Sequence, residues 1–292
     1  MTITIRNYQS PDDLRIQYDF WEKVTVDLPW AWKPTRSPSI FHNQHEFDPR
    51  SRCFAFDGDR LVGHMGFTGS DGFVSLGYPW VLDGYEGALQ EEMFDRVFGF
   101  ASSRDYGGST FAQRFRSQWE RQVSFFQNKG FQITGNVPIH GRSIRSDEPA
   151  DVLNREIEIQ HSFDLDKLAK VVPGSTLYGE NDLDFLAEYF KAVPFDFSVS
   201  CYSDGILTGY AGIAYRHDTR YGEVISAAFD DSDAFDAFRA VMLTTIRKLK
   251  QMGSETMSVN EDLIPDLKWS EKLGFSRVSE SVMMMKKLSV EG

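Results

Sequence analysis

The chain has 292 residues, 41% hydrophobic and 25% charged, with a formal net charge of −12. That length and balance suit a globular protein of about two ordinary domains, and the acidic surplus argues against a nucleic-acid partner, which needs clustered Lys and Arg. No run approaches the ~20 apolar residues of a membrane span and the N-terminus does not read as a signal peptide, so no membrane association and a cytoplasmic location are expected.

Residues 2–6 alternate as a strand, and 12–24 read as a helix with Leu14, Tyr18 and Trp21 on one stripe. Residues 27–50 are rich in Pro and Trp and read as an insertion. Strands are expected at 52–56, 60–68 and 72–82, the first two joined by a turn at Asp57-Gly58-Asp59. Residues 88–101 form an amphipathic helix on Leu89, Met93, Val97 and Ala101. A strand at 110–115, a helix at 118–128 and one or two strands over 131–144 follow. Residues 155–163 alternate like an edge strand. Strands at 198–202, 205–215 and 222–229 precede a helix at 234–250, with Phe235, Phe238, Met242, Thr245 and Leu249 inward. The chain closes with a strand at 255–259, a helix at 265–272 and a strand at 275–288.

The second half repeats the first. The helix stop Lys129-Gly130-Phe131 returns as Lys272-Leu273-Gly274-Phe275, with Phe131 and Phe275 144 positions apart. Leu61, Gly63 and Gly66 match Leu207, Gly209 and Gly212 at an offset of 146, and Tyr8, Asp12 and Phe20 match Tyr178, Asp182 and Phe190 at 170. The fall from 170 to 146 implies 24 extra residues in the first half, the length of 27–50. Cys53 and Cys201, one per half beside expected strands, read as buried free thiols.

This element order, ending each time in a Gly-Phe turn, resembles the GNAT superfamily of N-acetyltransferases. The resemblance covers both halves and implies a tandem protein of the α/β (α+β) class. Each of two GNAT-like domains would be a mixed, mostly antiparallel sheet flanked by helices, the N-terminal one over 1–148 and the C-terminal one over 149–292. It implies an acyl-CoA-dependent N-acyltransferase, with acetyl-CoA as co-substrate and a small amine as acceptor. Acetyl-CoA would lie in a V-shaped gap between the fourth and fifth strands. Its pyrophosphate would rest on a Gln/Arg-x-x-Gly-x-Gly/Ala loop at a helix N-terminus, where backbone N–H groups and about half a positive charge favour anions.

Neither half has that loop intact. Val81, Leu82, Gly84, Tyr85, Gly87 and Ala88 make the better match, two glycines preceding a helix; an ordinary strand-to-helix turn is the competing reading. Asp230-Asp231-Ser232-Asp233 has no glycine and three carboxylates, which suit helix capping and repel phosphate. CoA is therefore expected in the N-terminal domain.

The family's Tyr acid in the last helix is replaced by Phe126 and by Ser270. Glu120 is the candidate base, or else a solvated carboxylate in a first helical turn. Arg116, at the place of Asn260 in the repeat, faces an anionic CoA group or pairs with Glu120. Trp30, Trp32 and Trp119 could receive the acceptor amine, or the insertion could be a structural flap. His42 and His45 are too loosely spaced for a metal site, and Met283–Met285 suit packing. Two alternatives stand beside transfer from acyl-CoA. One is an aminoacyl-tRNA-dependent transferase, disfavoured by the acidic charge; the other is a degenerate, non-catalytic tandem GNAT protein that binds a small ligand or protein partner.

Overall fold

The computed structural model describes residues 3–34, 48–70, 73–104, 110–145, 155–178 and 195–287. Most of the insertion, His42 and His45 included, and the expected boundary at 148/149 lie outside these residues. The chain forms two compact units: unit 1 is Met1–Asn136 with Ser281–Gly292, and unit 2 is Val137–Glu280.

Unit 1 contains β1 (Ile3–Asn7), α1 (Asp12–Thr25), β2 (Arg52–Asp57), β3 (Arg60–Ser70), β4 (Phe73–Leu76) and β5 (Trp80–Val81). It continues with α2 (Ala88–Ser102), β6 (Thr110–Arg116), α3 (Glu120–Asn128) and the start of β7 (Gln132–Ser143), and it includes the end of β13 (Ser276–Lys287). Unit 2 contains the rest of β7, β8 (Glu156–Gln160), α4 (Leu165–Val171), β9 (Phe197–Ser203), β10 (Ile206–Arg216) and β11 (Tyr221–Phe229). After these come α5 (Ala234–Gln251), β12 (Thr256–Asn260), α6 (Leu267–Lys272) and the start of β13.

In unit 1, β1, β2 and β3 pair antiparallel, β3 pairs with both β4 and β5, and β4 runs parallel to β6. In unit 2, β8 to β11 pair antiparallel and β11 runs parallel to β12. Each parallel pair is bridged by a long helix, α2 or α5, as a crossover requires. Beside β6 lies β13, and beside β12 lies β7, both antiparallel. Each unit thus takes a strand from beyond the expected continuous halves of 1–148 and 149–292.

The repeat has a structural counterpart. Pairing in β2–β3 steps from Phe56↔Leu61 to Ala55↔Gly63, and in β9–β10 from Tyr202↔Leu207 to Cys201↔Gly209. The same bulge stands at the same repeat position. A Cβ on Gly63 would lie 3.0 Å from Met93 Sδ, and one on Gly209 3.1 Å from Ala237 Cβ, so each glycine lets its crossover helix approach the sheet. Gly130 and Gly274 end α3 and α6 with φ of 82° and 80°. Beyond them Phe131 N donates to Phe126 O and Phe275 N to Ser270 O, at 3.0 and 3.1 Å.

Helix α2 buries Met93, Phe94 and Val97, and α5 buries Phe238, Val241, Met242 and Leu249; each such side chain contributes about 1.5–3 kcal/mol. Phe235, expected on the inner stripe, is 40% exposed and meets Trp269 edge-on at 5.2 Å. Cys53 and Cys201 are buried free thiols. Met284 is fully buried in unit 1's core, as expected for packing.

The strand expected over 72–82 is broken. Gly77 N donates to Gly66 O at 2.8 Å, and a Cβ at Gly77 would lie 2.5 Å from that oxygen. Only glycine permits this approach, and Pro79 has no N–H for a ladder. Residues 77–79 therefore separate β4 from β5. Helix α3 starts at Glu120 rather than 118, residues 131–144 give one strand, and the short α4 was not expected.

Candidate functional site

The break at 77–79 opens unit 1's parallel pair. The last paired residues are Ser75↔Ala112, and Gln113 Nε2 donates to Leu76 O at 2.7 Å to close the ladder. Beyond this β6 continues to Arg116 while the other strand turns away to pair with β3 as β5. Ligands of open α/β sheets bind in such crevices at the carboxyl ends of strands. Here the crevice is a hollow whose lining includes Trp21, Trp32, Tyr78, Trp80, Gln113 and Trp119. Among the described residues no carboxylate lines it.

The segment after α1 packs into this crevice. Trp32 and Trp119 rings lie 4.6 Å apart, Trp119 Nε1 donates to Pro29 O at 2.9 Å, and Arg116 Nε donates to Trp30 O at 2.9 Å. The Arg116 guanidinium sits 5.2 Å over the Trp32 ring, and the residue is only 2% exposed. That burial excludes a surface pair with Glu120. Trp30 itself has a left-handed φ of 55°, which turns its carbonyl toward Arg116. Trp30, Trp32, Trp119 and Arg116 are thus brought together. Glu120 is not: it is exposed in the first turn of α3 and outside the lining of the hollow.

The glycine loop lies between the crevice and α2. Gly84 and Gly87 have φ of 86° and 81°, and a Cβ on either would meet nothing within 4 Å. Gly87 caps α2 without a side chain, so the first amides of the helix, Ala88 among them, carry no side-chain cap. Glu86 Oε2 accepts from Gly84 N at 2.7 Å. Gln90 Oε1 accepts from Gly87 N at 3.3 Å. Val81 pairs with Gly63, Leu82 N is spent on Val62 O, and Tyr85 N on Leu82 O. The Tyr85 hydroxyl donates to Asp57 at 2.7 Å. Of the expected loop residues, Gly84 and Gly87 give their amides to local side chains, while Val81, Leu82 and Tyr85 are tied into the strand and turn.

Tyr78, absent from the sequence-based candidates, is the titratable phenol of the hollow. Gln90 Nε2 donates to its oxygen at 2.9 Å and to Pro79 O at 3.0 Å. Burial holds the phenol above its ordinary value. The available signal was Gly77-Tyr78-Pro79 itself, two strand breakers around a tyrosine.

Unit 2 treats the corresponding loop differently. Asp231 N donates to Gly174 O at 2.6 Å, and Asp231 Oδ1 accepts from Thr176 N at 3.3 Å. Arg155 pairs with Asp233 at 2.6 Å and with Asp236 at 3.1 Å. The expected carboxylate cap is absent, because Asp233, at the cap position, faces Arg155. A pyrophosphate does not fit this place: its approach is taken by residues 174–176 and its charge is opposed by carboxylates.

No protein-family model and no curated protein matches the chain. Solved structures do. A tandem GNAT protein from the clavulanic acid biosynthesis pathway superposes with a TM-score of 0.67 at 13% identity, covering 100% of both chains. The chain has the tandem GNAT fold. A GCN5-related N-acetyltransferase from Sphaerobacter thermophilus matches with TM-score 0.57 at 10% identity, over 98% of this chain and 95% of that one. A GNAT-family acetyltransferase from Colwellia psychrerythraea gives 0.56 at 12%, over 98% and 100%. Within the GNAT fold, β4 with β5 is the fourth strand of unit 1 and β6 the fifth. In unit 2, β11 and β12 take those places. No helix among the described residues is long and apolar enough to cross a membrane.

Proposed function

We propose that the chain is an acyl-CoA-dependent N-acyltransferase, using acetyl-CoA and a small amine, with CoA held by unit 1. The observation that carries this reading is the pair of open glycines before the N-terminus of α2, whose cap residue has no side chain, beside splayed strands. There the amides of Gly84, Gly87 and Ala88 would take the pyrophosphate, once Glu86 and Gln90 release the two they hold. Val81 and Leu82 would line the pantetheine arm. Arg116 holds residue 30 against the far wall, which fixes Trp32 over Trp119.

The acceptor would enter the hollow beside the paired rings of Trp32 and Trp119. Its apolar lining suits an amine with a flat apolar body, which indole faces bind by dispersion and burial. The amine must be neutral to attack, and it would lose its proton through water with Glu120 as the outlying base. Binding beside the reactive carbonyl supplies most of the advantage by orientation.

The test is to incubate the full chain with acetyl-CoA and small amines, and to follow free thiol and acetylated product together. Arylalkylamines should be acetylated faster than polar amines of equal size. Intact acetyl-CoA and no product with every amine would overturn the reading.

A further inference from the structure

We propose, resting on the acyltransferase reading above, that Tyr78 donates the proton that the departing CoA thiolate takes up. Three features of unit 1 converge on its hydroxyl.

The first is position. Tyr78 stands in the break between β4 and β5, where the strands part, and lines the hollow. Its ring is fixed by Trp80 at 4.8 Å, Phe125 at 5.4 Å and Phe126 at 6.5 Å, the last nearly parallel at 26°. Phe126 cannot give a proton, and Tyr78 places a phenol beside it.

The second is the direction of its hydrogen bond. Pro79 O can only accept, so the Gln90 atom facing both it and Tyr78 is the amide nitrogen. The Tyr78 oxygen therefore accepts, and its own proton has no acceptor among the described residues. A buried phenol held this way keeps its proton at neutral pH.

The third is a link to the anion loop. The other end of the same Gln90 amide accepts from Gly87 N. In the free protein one side chain thus spans the phenol and the loop proposed for the pyrophosphate, and its bonds to Tyr78 and Pro79 stay when Gly87 N is given up.

In the step itself, the amine lone pair forms the C–N bond and the C–S bond breaks, its electron pair going to sulfur. The phenolic proton moves to sulfur to give the CoA thiol. The amine proton leaves to water, and water returns a proton to the Tyr78 oxygen, so charge and protons balance.

The experiment needs no acceptor. CoA itself is bound to the full chain, and ionisation of its thiol is followed by ultraviolet thiolate absorbance as pH is raised, for wild type and Tyr78→Phe. A phenol donating to sulfur stabilises the thiolate, so the bound thiol should ionise more readily than free CoA. Tyr78→Phe should reverse this by about tenfold in the ionisation constant, one pKa unit, with CoA affinity near neutral pH within about twofold. The wild-type comparison with free CoA stands even if the variant folds poorly. Equal ionisation of free CoA and of CoA bound to both proteins would overturn the role of Tyr78 while leaving CoA binding intact. Failure of CoA to bind wild type would overturn the acyltransferase reading, and this inference with it.

Discussion

The carboxylate of Glu86 accepts a hydrogen bond from the amide of Gly84 at 2.7 Å, so the loop carries a negative charge of its own where an anion would approach. The contact is between residues two apart and exposed, and two like charges about 4 Å apart in water repel by about 1 kcal/mol. Glu86→Gln should therefore tighten acetyl-CoA binding by about two- to fivefold, measured by isothermal titration. The gain should shrink as salt is raised, because exposed charges are screened. Unchanged or weaker binding in Glu86→Gln would mean that the amide of Gly84 does not meet the ligand.

Gly130 and Gly274 hold the same left-handed conformation at the ends of α3 and α6. A side chain there costs about 1–2 kcal/mol, since Cβ crowds the following carbonyl. Gly130→Ala and Gly274→Ala should each lower unfolding free energy by about that amount, read by denaturant titration. A substitution without cost at either position would argue that the helix stop is not a structural equivalent in the two halves.

His64 is buried on β3, and burial, with Arg52 beside it, holds its imidazole down to about 3; Asp13 acts weakly in the other direction. An unfolded His titrates near 6.5. The folded pKa is the lower one, so the neutral imidazole's contribution is complete above about pH 6.5 and is lost as pH falls toward 3. The loss approaches about 1.4 kcal/mol per pH unit. Between about pH 7 and pH 5 the wild type should lose roughly 2 kcal/mol that His64→Leu does not lose. Parallel pH profiles for the two proteins would contradict this.

Local signals in the sequence foretold the local structure. The turn at 57–59, the stripe of α2 and the glycine stops at 130 and 274 depend on neighbours within a few residues, so their positions were readable. The break at Gly77 was not, because its cause is the carbonyl of Gly66 on the adjacent strand. The pairing of β12 with β7 and of β6 with β13 was equally hidden, since strand pairing is non-local. The glycines at 84 and 87 read from their spacing as a turn before α2, but a partner of Arg116 lies 86 residues away at Trp30. Gly77 and Pro79 mark Tyr78 as a break in the strand, but the direction of its hydroxyl depends on Gln90, 12 residues on.

The central claim is that CoA binds at the glycine loop of unit 1, and calorimetry on loop variants tests it most directly. Acetyl-CoA would be titrated into wild type, Gly87→Ala, Gly87→Asp and Asp231→Ala. Gly87→Ala shares the backbone strain of Gly87→Asp, so the difference between them reports the added charge at the N-terminus of α2. The account predicts one acetyl-CoA per chain, at least about tenfold weaker binding in Gly87→Asp than in Gly87→Ala, and no change in Asp231→Ala. Equal affinity in the two Gly87 variants, or loss of binding in Asp231→Ala, would contradict it.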